Sequence, residues 1–163
     1  MQEGTRGGGA GVTAGIVIAA VLLVAIGGPA LVMCIGVTAA IAIPNFVAMQ
    51  AKAKRAEVPG YVDGIKTAEL AYDAAFDEFV PAGSEDEARR AVSKTPHEWR
   101  RDSAWDRLGW MPDGPLRGGY WVEVHGGDFT VHGICDVDGD GVYAEYTATS
   151  SRNATLETGA NTY

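Results

Sequence analysis

From Val12 to Phe46 the chain carries no Asp, Glu, Lys, Arg or His. A bilayer crossing needs about 20 predominantly apolar residues, and a core helix of a soluble domain is rarely so long and so free of charge. The run is therefore read as a transmembrane segment over residues 12–44. A cleaved secretory signal is the competing reading, because Arg6 precedes the run, but the apolar core of a signal spans only about 7–15 residues. As a continuous helix, Val12–Ile43 would reach about 48 Å at 1.5 Å per residue, more than a hydrocarbon core of about 30 Å. Part of it should tilt, protrude or meet another protein helix. Two short spans are disfavoured, since each half would hold only about 15 residues. Gly27-Gly28-Pro29 divides the run, and the missing proline donor predicts a kink or loosened turn there.

The formal charge of −8 belongs to the part of the chain beyond the span. Glu3 and Arg6 cancel, so the whole acidic surplus lies after residue 44. An acidic domain repels phosphate backbones, and a nucleic-acid partner is not expected. Membrane lipid is the expected partner of the span. Flanking charge does not orient it cleanly: Lys52, Lys54 and Arg55 stand after the run, which by the positive-inside rule places the C-terminal side in the cytoplasm. Cys34 lies in the apolar run and Cys135 in the domain, so no internal disulfide is expected. Leu31-Val32-Met33-Cys34 is a poor lipoprotein site, with Met33 where a small residue belongs.

Residues 1–11 read as a disordered Gly-rich tail and residues 45–163 as one domain. Its first part, 45–79, has helical periodicity. Val58, Tyr61, Ile65, Ala68, Tyr72, Ala75 and Phe79 recur every three or four residues, with Lys66, Glu69 and Asp73 mostly off that stripe. Pro59-Gly60 predicts a bend or break near Val58. Residues 80–118 read as a connection. Within it Ser84 and Glu87 form a capping box for a short helix, Trp99, Trp105, Leu108 and Trp110 are set to bury aromatic surface, and Pro112–Pro115 signals a turn.

Strands are expected over 119–149. Gly126-Gly127 is a two-residue hairpin signal that sets Val124 opposite Phe129, Val122 opposite Val131 and Tyr120 opposite Gly133. A second reversal at Asp136–Gly141 is expected to set Cys135 opposite Val142, Gly133 opposite Ala144, Val131 opposite Tyr146 and Phe129 opposite Ala148. One face of the meander is then apolar and needs a helix to cover it. Residues 150–163 read as a C-terminal tail. The expected fold is α+β: a long N-terminal helix, membrane-embedded in its first half and amphipathic in its second, packed on a small antiparallel β-meander.

Ala39-Ala40-Ile41-Ala42-Ile43-Pro44-Asn45-Phe46, then Gln50–Glu57, Ile65–Glu69 and Ala71-Tyr72, resemble the hydrophobic segment and helix of type IV pilins and type II secretion pseudopilins. Gly36 also falls where those segments carry glycine. The resemblance implies a structural subunit or accessory of a pilus or pseudopilus. Such a protein would contact its own copies or other pilin-like subunits through the apolar helix, with its domain on the periplasmic or extracellular side of the inner membrane. That orientation opposes the flanking charge. The prepilin cleavage pattern is absent: alignment on Pro44 puts Leu22 at the family's glycine, Leu23 at its aromatic residue and Gly27 at its glutamate. In the family that glutamate pairs with a neighbouring subunit's amino terminus, a contact valued because an unpaired charge in lipid is costly. Its loss leaves a second expectation, a non-polymerising, membrane-tethered binding or sensing module on the same scaffold.

Asp136, Asp138 and Asp140 alternate with Val137 and Gly139, as carboxylates do at the start of a calcium loop, where hard oxygens at every second residue converge on one cation. Pseudopilins hold calcium in a C-terminal loop, and by resemblance Ca²⁺ is the candidate cofactor here. The closing glutamate of an EF-hand would fall at Thr147, so Glu145 or a carbonyl would have to substitute. The alternative is a solvated acidic turn. His125, His132 and Asp128 share the polar sheet face but do not converge in the expected register, so zinc is not expected. No nucleophile motif or phosphate loop is present, and no enzymatic activity is expected. The four tryptophans read as packing residues rather than a ligand platform. Asn153-Ala154-Thr155 fits a glycosylation sequon, a triplet frequent by chance.

Overall fold

A computed structural model describes residues 9–163. It divides into two compact units, Met1–Val47 and Ala48–Tyr163. The first carries most of helix α1 (Gly9–Arg55). Within it Ile16, Leu22, Leu23 and Met33 are all exposed, Leu22 at 52% and Leu23 at 75%. Side chains this greasy and this bare need a solvent other than water, and the helix is long and apolar enough to cross a membrane. Thr38 Oγ1 donates to the Cys34 carbonyl at 2.8 Å, so its hydroxyl needs no water. The loosened turn expected at Gly27-Gly28-Pro29 does not interrupt the helix, which runs through both Pro29 and Pro44. Each proline removes only its own donor, and the turns on either side continue. Of the expected tail, residues 1–8 lie outside the described residues and 9–11 already belong to α1.

The second unit begins with the last turns of α1 and with α2 (Glu57–Phe76). The two helices meet at Ala56, just before the expected position, where Ala56 keeps helical angles and its N–H still donates to Lys52 O at 3.1 Å. Pro59 sits in the first turn of α2, where a missing donor costs least. At the other end Asp77, at φ 55°, turns the chain left-handed, so the helix stops three residues short of the expected Phe79. Phe79 still packs, its ring 4.8 Å from that of Phe129.

The connecting region is better ordered than its weak periodicity implied. Ser84 caps α3 (Glu85–Ala91) as expected, accepting from Glu87 N at 3.3 Å. Asp102 caps a further short helix, α4 (Ser103–Leu108), through Ala104 N and Trp105 N. Trp99, Trp105 and Trp110 pack edge-to-face or tilted with centroids 5.2–5.4 Å apart.

Strands β1 (Gly119–His125), β2 (Asp128–Cys135), β3 (Ala144–Thr149) and β4 (Arg152–Leu156) form one antiparallel sheet in sequence order. The first hairpin has the expected register: Val124 faces Phe129, Val122 faces Val131 and Tyr120 faces Gly133. Gly126 and Gly127, at φ 57° and 93°, make the tight reversal. The second register differs by two residues, pairing Cys135 with Ala144, Gly133 with Tyr146 and Val131 with Ala148. The turn is wider than Asp136–Gly141 because Val142 and Tyr143 are drawn into it. A slip of two keeps every side chain on its expected face, so the apolar side survives the error. β4 occupies residues expected to be tail.

Val58, Val62 and Ile65 of α2 are fully buried against this sheet. Gly133 permits the close approach: a Cβ there would overlap Val62 Cγ2 and lie 2.9 Å from Val58 Cγ1. Burial of each such side chain contributes about 1.5–3 kcal/mol. The opposite, mostly polar face also carries apolar side chains. At one end α3 covers it, and Ala88, Trp121 and Ile134 form a second small core. The whole is an α+β arrangement with a long N-terminal helix and a four-stranded open sheet.

Candidate functional sites

The acidic turn between β2 and β3 is built around Asp136. Its Oδ1 accepts from Gly139 N at 2.6 Å and Asp140 N at 3.2 Å, and its Oδ2 from Gly141 N at 2.9 Å. Gly139 and Gly141, at φ 78° and 84°, allow the chain to wrap round that carboxylate. The fold thus brings Asp136, Asp138 and Asp140 together, with one ligand oxygen from each within 4.8 Å of the others. Asp136 is half-buried and the other two are exposed. Some desolvation within the turn, then the neighbouring Asp140 and Asp136, raise the Asp138 carboxyl above its ordinary range, and a cation would relieve the repulsive part.

Calcium takes six to eight oxygens, and here much of the supply is already engaged. Asp136 is committed to three backbone donors, and Lys94 Nζ donates to the Asp138 carbonyl at 2.8 Å. Glu145, a substitute for the missing closing ligand, faces His132 Nδ1 at 3.4 Å. Thr147 lies inside β3 opposite His132 and Thr155. The turn is therefore stapled by Asp136, and its three carboxylates stand together as a candidate cation position.

The histidines stay apart. His132 stacks on Trp121 at 4.5 Å with rings 4° from parallel. His125 Nε2 meets Glu123 Oε2 at 3.0 Å. The Trp121 indole N–H and His125 hold the Glu123 carboxyl below its usual range. Asp128 serves its hairpin, accepting from Phe129 N and Ser150 N. Among the described residues, Asp136, Asp138 and Asp140 form the metal-capable cluster, and no histidine joins it.

A cleft of about 490 Å³ opens between α3, the stretch 97–102 and the start of β1, lined by Ala88, Arg90, His97, Trp99, Arg101 and Trp105 among others. His97 Nδ1 and Trp99 Nε1 are buried without hydrogen-bond partners. Burial holds the His97 ring below its ordinary basicity. Both cysteines are free, and burial pushes the Cys135 thiol up to about 12, which leaves it unreactive. Asn153 of the sequon lies in β4, its Oδ1 accepting from Lys66 Nζ at 2.8 Å.

The expected stripe of α2 omits three of its buried residues, Val62, Lys66 and Glu69. Glu69, placed off the apolar stripe, is fully buried. The deepest line of α2 runs Val58, Val62, Ile65, Glu69, at spacings of four, three and four. That spacing was a signal available in the sequence, masked because a carboxylate is rarely assigned to a core.

No family model, curated protein or solved structure matches the chain. Fold and geometry define only a class: an antiparallel α+β domain preceded in the chain by a helix apolar and long enough to span a membrane.

Proposed function

We propose that the chain is a pilin-like structural membrane protein, a subunit or accessory of a type IV pilus or type II secretion pseudopilus. One observation carries this reading: a helix whose exposed apolar length exceeds one hydrocarbon thickness leads into an amphipathic helix that covers a small β-meander. Apolar length beyond a bilayer is useful where like helices pack side by side. In this reading the domain lies on the periplasmic or extracellular face of the inner membrane, and the acidic turn is its candidate calcium position.

Cys34, exposed within the apolar run, supplies the test. Mild oxidation of native membranes should give a Cys34–Cys34 dimer that Cys34→Ser abolishes, and mass spectrometry should find a processed amino terminus. A monomer with Met1 intact would overturn the proposal.

That outcome would favour the second reading, a tethered binding or sensing module that does not polymerise. Two observations support it: Leu22, Leu23 and Gly27 stand where the cleavage and pairing residues would be, and the cleft beside α3 is of ligand-binding size.

A further inference from the structure

Glu69 is an ionisable group in a place built for apolar ones. Its Oε2 accepts from Val80 N at 3.0 Å, while Oε1 is buried with no partner. Val80 belongs to the segment that returns from the left-handed Asp77, and two residues further on Ala82 pairs with the outer edge of β1. There Ala82 N donates to Val122 O at 3.3 Å, and Val122 N to Ala82 O at 2.8 Å. Residues 77–83 are thus a strap over an otherwise open strand edge, pinned at one point by a buried carboxyl and at the next by two backbone bonds.

We propose that Glu69 is a proton-operated pin: with its carboxyl protonated the strap lies closed on β1, and ionisation of the buried carboxyl releases it. The surroundings support this. Beneath α2, β2 and β3 present Phe129, Val131 and Ala148, none of which can stabilise an anion, and Arg152 of β4 is engaged by Glu157 and Thr147. On α2 itself, Lys66 one turn before is engaged with Asn153, and Asp73 one turn after carries the same sign as Glu69. On the strap, Glu78 is held by the Tyr72 hydroxyl at 3.2 Å. Arg107 of α4 is the cation that eases the charge, and burial outweighs both it and the Val80 bond, raising the carboxyl to about 7. A neutral acid leaves one weakly polar atom unpaired there; an anion leaves a charge.

The sign comes from linkage. Closed, Glu69 holds its proton to about 7; open and in water, it releases it near an ordinary value of about 4.3. Closure is therefore strongest below that lower value, weakens about tenfold per pH unit between the two, and is flat above.

Hydrogen exchange of the full chain in lipid nanodiscs, corrected for intrinsic rates, tests this at the Val80 and Val122 amides. Protection there should fall at least about thirtyfold between pH ~5 and pH ~7.5 while the β2–β3 amides hold theirs. Glu69→Gln, which keeps an acceptor for Val80 N, should abolish the fall. Arg107→Ala should extend it to higher pH, by removing a cation that favours the anion. An unchanged strap in the wild type, or the same fall in Glu69→Gln, would overturn the proposal. Should Glu69→Gln not fold, an Arg107→Ala profile identical to the wild type would do the same.

Discussion

The two units use the same residues for opposite ends. In the first, Ile16, Ile26 and Ile35 stand exposed on α1; in the second, Ile65 of α2 is fully buried under a sheet. Hydrophobicity alone does not separate them. What does is the other side of each helix: α1 is apolar all round up to Phe46, while α2 carries Asp63, Thr67 and Asp73 around a narrow buried line. The first pattern calls for lipid or like helices as its solvent, the second for a β-sheet.

This contrast breaks most readily at Ile26. Ile26→Arg places a charge mid-run at about 3–4 kcal/mol of insertion cost. The expected result is partial loss from the carbonate-resistant membrane fraction, with the melting of the domain unchanged. Equal membrane retention would mean that the run does not span. Ile65→Ala should do the reverse: about 3 kcal/mol of domain stability lost to the cavity, read by denaturant titration in detergent, with membrane retention intact. An equal loss from Ile26→Ala would erase the distinction between the units.

A smaller effect probes the edge of the sheet. Asp63 of α2 accepts from Ala154 N at 2.7 Å, and Lys66 reaches Asn153. These two side chains hold β4 under the helix. Asp63→Ala should cost about 1–2 kcal/mol and raise exchange in β4 before β1. Uniform exchange across the sheet would show that β4 is held by β3 alone.

These same contacts explain what the sequence could and could not tell. The long apolar helix was legible because the absence of charge over so long a run has few physical solutions. The first hairpin was legible because Gly126-Gly127 permits one tight reversal. The second was legible in its faces but not in its count, since three backbone donors folded onto the Asp136 carboxylate widen the turn and leave no local signature beyond Asp and Gly. β4, Arg-Asn-Ala-Thr-Leu, was missed because its alternation consists of Ala154 and Leu156 alone, too short to read as a strand. Its order comes from Asp63 and Lys66, far away along the chain. Such polar long-range anchors are invisible to periodicity, as was the second core that α3 makes with Trp121 and Ile134.

The last comparison lies within one turn. Asp136 and Asp138 look equivalent in sequence, but Asp136 holds Gly139, Asp140 and Gly141 by their amides, whereas the Asp138 carboxylate caps no backbone donor beyond the turn's own acidic cluster. Asp136→Ala should therefore destabilise the domain by about 1 kcal/mol with or without calcium. Asp138→Ala, by contrast, should keep or slightly raise calcium-free stability, because it removes a carboxyl whose charge the folded turn disfavours. If an ion binds, Asp138→Ala also parts from the wild type: calcium should raise the melting temperature of the wild type and not that of Asp138→Ala. A wild type indifferent to calcium would reduce the turn to its Asp136 staple, with Lys94 at the Asp138 carbonyl serving as its cation.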